Sequence, residues 1–136
     1  MNTIQVIGGA GTGKSSVMCA IITRLKDRRV NVNVHPIDGI MELYKVFNTI
    51  DNRLYQMNER GIKITVVEND NFETPDSSEI IVNVKGTDKD KSKIIEIVQK
   101  TVDSMFDVSV NKPLDDLPYC VCDLDIYEKQ SLRQSA

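Results

Sequence analysis

The segment with the clearest chemical meaning is an eight-residue stretch near the start of the chain, which reads Gly-Gly-Ala-Gly-Thr-Gly-Lys-Ser from Gly8 to Ser15. Glycine tolerates positive φ angles, so a glycine-rich loop can turn its backbone N–H groups inward around a phosphate. A lysine and a hydroxyl at the end of such a loop suit the outer phosphates of a nucleotide and a magnesium ion. The stretch therefore predicts a phosphate-binding loop in which Lys14 contacts the phosphates and Ser15 binds Mg²⁺.

The elements predicted around this loop are the ones that such a site requires. Apolar residues from Ile4 to Ile7 indicate a strand directly before the loop, and apolar residues at helical spacing over 14–29 indicate a helix directly after it. A helix that begins at the loop adds the partial positive charge of its N-terminus. The predicted nucleotide-binding residues are Gly8, Gly9, Ala10, Gly11, Thr12, Gly13, Lys14, Ser15 and Ser16.

Because every fixed position of G-x-x-x-x-G-K-[ST] is present, the chain resembles the P-loop NTPase superfamily by its Walker A motif. The resemblance is specific over residues 3–29 and loose from there to about residue 70. The short chain also resembles the small stand-alone P-loop proteins of bacteriophages. The resemblance implies binding of ATP or GTP with Mg²⁺, with Lys14 in a catalytic role.

The same resemblance implies an acidic residue at the end of an apolar strand, where it would hold the magnesium ion or polarise an attacking water. Residues 64–67 form an apolar run, Glu68 ends it, and Asp70 follows two residues later. Glu68 is therefore predicted to be catalytic and metal-binding, with Asp70 as a competing metal ligand. The alternative is that both acids belong to an exposed acidic loop over 68–79.

A second acid, Asp38, follows the predicted strand Val30–His35 and precedes a long amphipathic helix predicted from Ile40 to Met57. In several P-loop kinases an acid at this place faces the acceptor substrate or acts as a base, so the resemblance implies a catalytic role for Asp38. The same side chain could cap the N-terminus of the long helix. The two roles are compatible.

The predicted positions of the cationic side chains bear on turnover. In a straight helix with a rise of about 1.5 Å per residue, Arg53 and Arg60 would lie roughly 20–30 Å from the helix start, far from the phosphates. The lysine-rich turn over 86–93 would reach the phosphates if the strand predicted over 80–84 runs parallel to the first strand; otherwise it is a solvated turn before the third helix. A protein partner that supplies an arginine could then raise the rate by about 10³–10⁵.

Alternating strands and helices predict an α/β fold, with a mostly parallel sheet flanked by helices in the minimal form of a P-loop domain. A third helix is predicted around Ile94 to Met105, followed by short strands at 108–110 and 119–126. Residues 1–128 are assigned to one nucleotide-binding domain, and residues 129–136 to a frayed C-terminal tail.

Composition excludes several other classes of protein. The chain has 136 residues with 17 Lys+Arg and 20 Asp+Glu, and its net charge of -3 argues against broad adhesion to nucleic acid or membranes. No apolar run approaches the ~20 residues of a membrane span. The N-terminus does not resemble a secretory signal. We therefore expect a cytoplasmic protein.

The three cysteines, Cys19, Cys120 and Cys122, are an odd number in a chain without a visible signal, which favours free thiols in a reducing compartment. On a strand, Cys120 and Cys122 would lie on one face. Neither a second cysteine pair nor a histidine lies near them in the sequence to complete a zinc site. The pair is therefore interpreted as small apolar core residues rather than as a metal or redox site.

Two functions fit the sequence. The first is a slow Mg²⁺-dependent NTPase, or a phosphotransferase that acts on a small acceptor. The alternative is a nucleotide-binding interaction or regulatory module with little catalysis of its own. The short chain and the predicted distance of the arginines from the loop both favour slow turnover.

Overall fold

Five strands form one sheet in the computed structural model, which describes residues 2–86, 89–107 and 114–131. The strands are β1 (Asn2–Gly8), β2 (Val30–His35), β3 (Lys63–Glu68), β4 (Glu79–Lys85) and β5 (Cys122–Gln130), in the spatial order β2-β5-β1-β4-β3. Strands β2, β5 and β1 run parallel to one another, β3 runs parallel to β4, and the β1–β4 pair is antiparallel. The predicted α/β fold with a mostly parallel sheet is therefore confirmed.

Helices cover one face of this sheet. They are α1 (Lys14–Asp27), α2 (Ile40–Asn48), α3 (Ile50–Glu59) and α4 (Lys91–Ser104). Their apolar side chains form a single core with one face of the strands, including Ile4 of β1, Val82 of β4 and Leu124 of β5. The other face of the sheet is largely polar, and His35 stacks on Tyr127 there with ring centroids 4.3 Å apart. Within the described ranges, no helix combines the length and apolar character needed to span a membrane.

The long helix predicted from Ile40 to Met57 is broken into α2 and α3 at Thr49. This residue has a non-helical backbone, with φ -125° and ψ 23°. Its hydroxyl donates a hydrogen bond to the Lys45 carbonyl oxygen at 3.0 Å and accepts one from Arg53 Nε at 2.7 Å. Because such local bonds compete with helical ones, a threonine inside an amphipathic pattern can end a helix without changing the pattern.

The break determines the direction of the next strand. After α3 the chain enters the sheet again at the edge that carries the glycine-rich loop, since Lys63 pairs with Glu79 while Gly8 pairs with Ile80. Strand β3 therefore runs opposite to β1 and ends at the far edge, where Glu68 pairs with Val84. The condition stated for the lysine-rich turn, a fourth strand parallel to the first, is not met, because β4 runs parallel to β3 and antiparallel to β1.

Strand β5 extends past the domain boundary predicted at residue 128. It pairs with β1 up to Gln130, beside Gly8, and the Ser131 N–H donates to the Gly8 carbonyl oxygen at 2.8 Å. The first residues of the predicted tail are thus part of the sheet, where Lys129 and Gln130 pair with Ile7 and Gly8 at the end of β1. Residues 132–136 and the strand predicted at 108–110 lie outside the described residues.

The burial of Cys19 in α1 predicts how the free energy of unfolding depends on pH. Burial, and next the charge of Glu128, raise the pKa of the Cys19 thiol from 9.0 to about 12, partly opposed by Arg53. The unfolded chain ionises this thiol above pH 9, whereas the folded chain keeps it neutral. The stabilisation is therefore complete below pH 9 and is lost as the pH rises from 9 towards 12.

We expect Cys19 to lower the free energy of unfolding by about 1.4 kcal/mol per pH unit in this window. Other groups also titrate there, so the measurement is the difference between the wild type and Cys19→Ala in denaturant melts at pH 8, 9, 10 and 11. The variant should lose stability less steeply. Identical slopes for the two proteins would contradict the prediction.

Candidate phosphate-binding site

The glycine-rich loop lies between β1 and α1 and has the backbone that its sequence indicates. Gly11 and Gly13 adopt left-handed conformations, with φ of 75° and 103°. A Cβ atom at Gly13 would also collide with the Met57 side chain of α3. The Thr12 side chain closes the turn, because its hydroxyl donates to the Gly9 carbonyl oxygen at 2.8 Å. Gly11 and Gly13 are therefore favoured for a conformational reason, and of these Gly13 is a fixed position of the motif.

The loop ends at the N-terminus of α1, where backbone amides are available. The first hydrogen bonds of this helix run from the N–H groups of Ser16 and Val17 to the Gly13 carbonyl oxygen, at 3.0 and 3.1 Å. The earlier amides, those of Lys14 and Ser15, have no carbonyl of a preceding turn to bind. Together with the helix dipole, they form an electropositive end that suits an anion.

Lys14 is folded back over this end of the helix. The residue is only 8% exposed, and its Nζ donates to the Gly9 carbonyl oxygen at 3.2 Å. No carboxylate of the described residues lies within 4.0 Å of this ammonium. A buried ammonium without an anionic partner is unfavourable, so an anion bound at the loop would relieve an existing cost.

A cavity of about 410 Å³ opens beside the loop. Its walls come from the loop, the segment after β2, the facing sides of α2 and α3, and the end of β5. This volume lies within the usual range of about 300–1,000 Å³ for small-molecule sites. Its charged lining residues are Lys14, Asp38, Glu42, Lys45, Arg53, Arg60 and Glu128.

The carboxylate nearest to Ser15 belongs to Glu128, which the sequence analysis did not select. Glu128 is 9% exposed and lies near the end of β5, beside Val6 of the parallel strand β1. The Ser15 hydroxyl donates to Glu128 Oε2, and the Ile37 N–H donates to Oε1 at 2.9 Å. Glu128 thus occupies the strand-end position beside the loop that the P-loop resemblance implied for Glu68.

The signal for Glu128 is present in the sequence but weak. Leu124, Ile126 and Glu128 alternate along one face of β5, so an acid follows two apolar residues at strand spacing. The intervening residues of β5 lie on the polar face of the sheet, so β5 lacks the nearly continuous apolar run that precedes Glu68. In addition, the predicted domain boundary at residue 128 falls within β5, so Glu128 was not predicted to lie near the end of a strand.

Glu68 and Asp70 do not share a site with Ser15, and the predicted metal site on these residues is therefore wrong in its placement. Glu68 ends β3 at the far edge of the sheet, where Lys91 Nζ lies 3.3 Å from its carboxylate. Asp70 binds Lys85 at 3.0 Å and accepts a hydrogen bond from Asn83 Nδ2 at 2.8 Å. The bond from Lys85, and next the one from Asn83, lower the pKa of Asp70. Both acids have structural partners of their own.

Asp38 lines the cavity, as a residue that faces an acceptor would. Its predicted role as a helix cap is wrong, because the N-cap of α2 is Gly39, with φ 86°, and no side-chain cap bond is present there among the described residues. The carboxylate of Asp38 is therefore available to the cavity rather than to the helix.

Two arginines lie at the cavity, contrary to the expectation that both are remote. The break at Thr49 folds α3 back, so that Arg53 lines the cavity and Arg60 reaches the loop. Arg60 donates from Nη1 to the Gly11 carbonyl oxygen at 2.8 Å and from Nη2 to the Thr12 carbonyl oxygen at 3.3 Å.

The described residues of the lysine-rich segment, Gly86 and those from Lys89 to Lys93, lie at the opposite edge, so the condition for an approach to the phosphates is not met. Gly86 packs against Asn2 at the start of β1, whereas the loop follows the end of that strand. Residues 87 and 88 lie outside the described residues. The cationic groups near the loop come instead from the chain segment that follows β2.

Comparison of the chain with models of protein families, with curated proteins and with solved structures gives no match. The interpretation of the cavity consequently depends on its own geometry and chemistry.

Proposed function

We propose that the protein binds a nucleoside triphosphate, ATP or GTP, together with Mg²⁺ in this cavity, and that it is an NTPase or a phosphotransferase acting on a small acceptor. One observation carries the proposal: among the described residues, the same cavity is lined by a buried ammonium without a carboxylate partner, that of Lys14, and by a buried carboxylate without a cationic partner, that of Glu128. The first suits an anion and the second a cation. A triphosphate with its magnesium ion supplies both.

The metal would be held by Ser15 and Glu128. A hydroxyl and a carboxylate are hard oxygen ligands of the kind that Mg²⁺ binds alongside phosphates. Both present partners of Glu128, the Ser15 hydroxyl and the Ile37 amide, are neutral, so its charge is not compensated by them. When bound, Mg²⁺ neutralises charge that develops on the phosphates.

The chain's own cations support catalysis as well as binding. Lys14 and the amides at the start of α1 would hold the outer phosphates, and Arg53 and Arg60 are close enough to line the same cavity. Arg60 already contacts the loop through two carbonyl oxygens. These arginines reduce the need for a partner that supplies one. Asp38, which also lines the cavity, is the candidate base for an acceptor hydroxyl or a water.

A nucleotide-dependent interaction module remains the second proposal, supported by a separate feature. Three large apolar side chains on α2 face solvent: Ile40 is 46% exposed, Met41 74% and Tyr44 58%. The segment before them is tied to the candidate metal site, because the Ile37 N–H donates to Glu128. A ligand on Glu128 would compete for this bond and could move the apolar surface. Little turnover together with tight binding would favour this proposal.

Calorimetric titration with ATP, GTP and AMP, each with and without Mg²⁺, tests the common part of both proposals. We expect one triphosphate per chain, stronger binding with Mg²⁺, and weak binding of AMP, since AMP lacks the two phosphates that the loop would hold. Phosphate release, measured with and without small hydroxyl acceptors, then separates catalysis from binding. If neither triphosphate binds, or if AMP binds as well as they do, the phosphate site is not at this loop.

A further inference from the structure

A second group of reactive side chains lies at the sheet edge opposite the phosphate loop. It comprises Cys120, just before β5, Cys122, the first residue of β5, and Asp90, just before α4. The nine residues of β5 separate this group from the loop edge by roughly 25–30 Å, at about 3.3 Å per residue. The group is therefore independent of the proposed nucleotide site.

The two thiols are held close together by the backbone. Their Sγ atoms lie 3.2 Å apart. Cys120 is 2% exposed, and its N–H donates to the Arg28 carbonyl oxygen at 3.0 Å, which anchors this end of β5 to the end of α1. Cys122 is half-buried, so solvent has access to one side of the pair.

Asp90 brings a carboxylate to this pair. One ligand atom from each of Asp90, Cys120 and Cys122 lies within 4.8 Å of the others. Asp90 precedes α4, and its carbonyl oxygen accepts the Ile94 N–H at 3.0 Å. An aspartate at this position normally caps the helix with its side chain, but the carboxylate makes no such bond here. Its placement is explained better by the thiols than by the helix.

We propose that Cys120, Cys122 and Asp90 form a binding site for a thiophilic divalent cation of the zinc type, with the fourth position open to water. Two thiolates and a carboxylate are a ligand set that Zn²⁺ accepts, at about 2.3 Å for sulfur and about 2.0–2.2 Å for oxygen. In a tetrahedral site two sulfur ligands lie about 3.7 Å apart, so the pair must open only slightly from 3.2 Å. Lys93, on the first turn of α4 and close in sequence to Asp90, would offset the excess negative charge of three anionic ligands.

Binding of the cation must release protons, because cysteine binds a metal as the thiolate.

Titration of the full-length reduced protein with Co²⁺, followed by competition with Zn²⁺, tests the site. Cobalt bound by thiolates absorbs in the near ultraviolet through sulfur-to-metal charge transfer. We expect one such cobalt per chain, displaced by Zn²⁺. Cys122→Ser should weaken cobalt binding at least about 100-fold, because loss even of a residue that only hydrogen-bonds to a metal ligand lowers metal affinity about 10–100-fold. Asp90→Asn should weaken it about tenfold. The substitution is made at Cys122 rather than at the buried Cys120, because a half-buried side chain is the safer place for a serine.

Cys19→Ala is the matched control, because it removes a buried thiol elsewhere and should leave the absorbance and the affinity unchanged. Glu128→Gln should also leave them unchanged, which separates this site from any metal at the phosphate loop. Absence of the charge-transfer band in the wild type, or its persistence at full affinity in Cys122→Ser, would overturn the proposal. So would a Cys120–Cys122 disulfide that survives reduction during purification, since the pair would then be oxidised rather than metal-binding.

Discussion

Replacement of Lys14 by alanine is expected to weaken binding of the triphosphate by about 3 kcal/mol or more, which corresponds to over about 100-fold in Kd. The lost interaction is a charge-assisted one, made from a site that is 8% exposed, where water screens it poorly. The free protein should be at least as stable as the wild type, because the change removes a buried ammonium without a carboxylate partner among the described residues. Calorimetric titration and thermal unfolding measure the two effects.

Lys26→Ala is the matched control for Lys14→Ala. It makes the same change in the same helix, but at the exposed far end of α1. Binding of the triphosphate should be unchanged in this variant. Equal affinity in Lys14→Ala and the wild type would remove the main support for the proposed function. A large loss of stability in Lys14→Ala would instead show that the ammonium already has a favourable partner in the fold.

The glycine-rich loop could be predicted from sequence because its requirements are local. The positive φ angles of Gly11 and Gly13, the strand before the loop and the helix after it all lie within one short stretch of chain. Each follows from residue type and spacing without knowledge of distant contacts. The loop geometry was therefore predictable in outline, whereas the bound nucleotide remains a proposal.

The direction of β3 could not be predicted in the same way. It depends on the break at Thr49, which leaves the amphipathic pattern of α2 and α3 almost continuous. A straight helix would have brought the chain to the opposite edge of the sheet, where a parallel strand begins. The fold instead returns the chain to the loop edge, and this reverses β3 and moves Glu68 away. The helix break at Thr49 thus explains why Glu128, and not Glu68, is the candidate metal ligand beside the loop.

The cysteine pair illustrates a different limit. Cys120 does pack in the core, as its apolar interpretation predicted. No histidine or further cysteine lies near the pair in sequence, but the third ligand, Asp90, comes from the start of α4, far from the pair along the chain. Because ligand sets are commonly assembled across elements, an isolated cysteine pair in sequence does not exclude a metal site.

Replacement of Glu128 by glutamine is expected to abolish the Mg²⁺ dependence of triphosphate binding and to lower turnover at least about 100-fold. Glutamine keeps the shape of the side chain, and its amide oxygen can still accept a hydrogen bond from Ser15 or from Ile37. The change therefore removes the charge that would bind the metal while it preserves the local fold. Because that charge is 9% exposed and has neutral partners, the variant should also be no less stable than the wild type.

Glu68→Gln is the matched control, since it makes the same change at the strand end that the sequence alone favoured. Its carboxylate is 55% exposed and pairs with Lys91 at the opposite edge of the sheet, so its loss should cost at most about 1 kcal/mol of stability and leave turnover unchanged. Phosphate release as a function of Mg²⁺ concentration, and binding of ATP with and without EDTA, compare the two variants with the wild type. If Glu68→Gln loses turnover and Glu128→Gln does not, the metal site lies at the end of β3, and the orientation of the strands in the sheet is different from the one described.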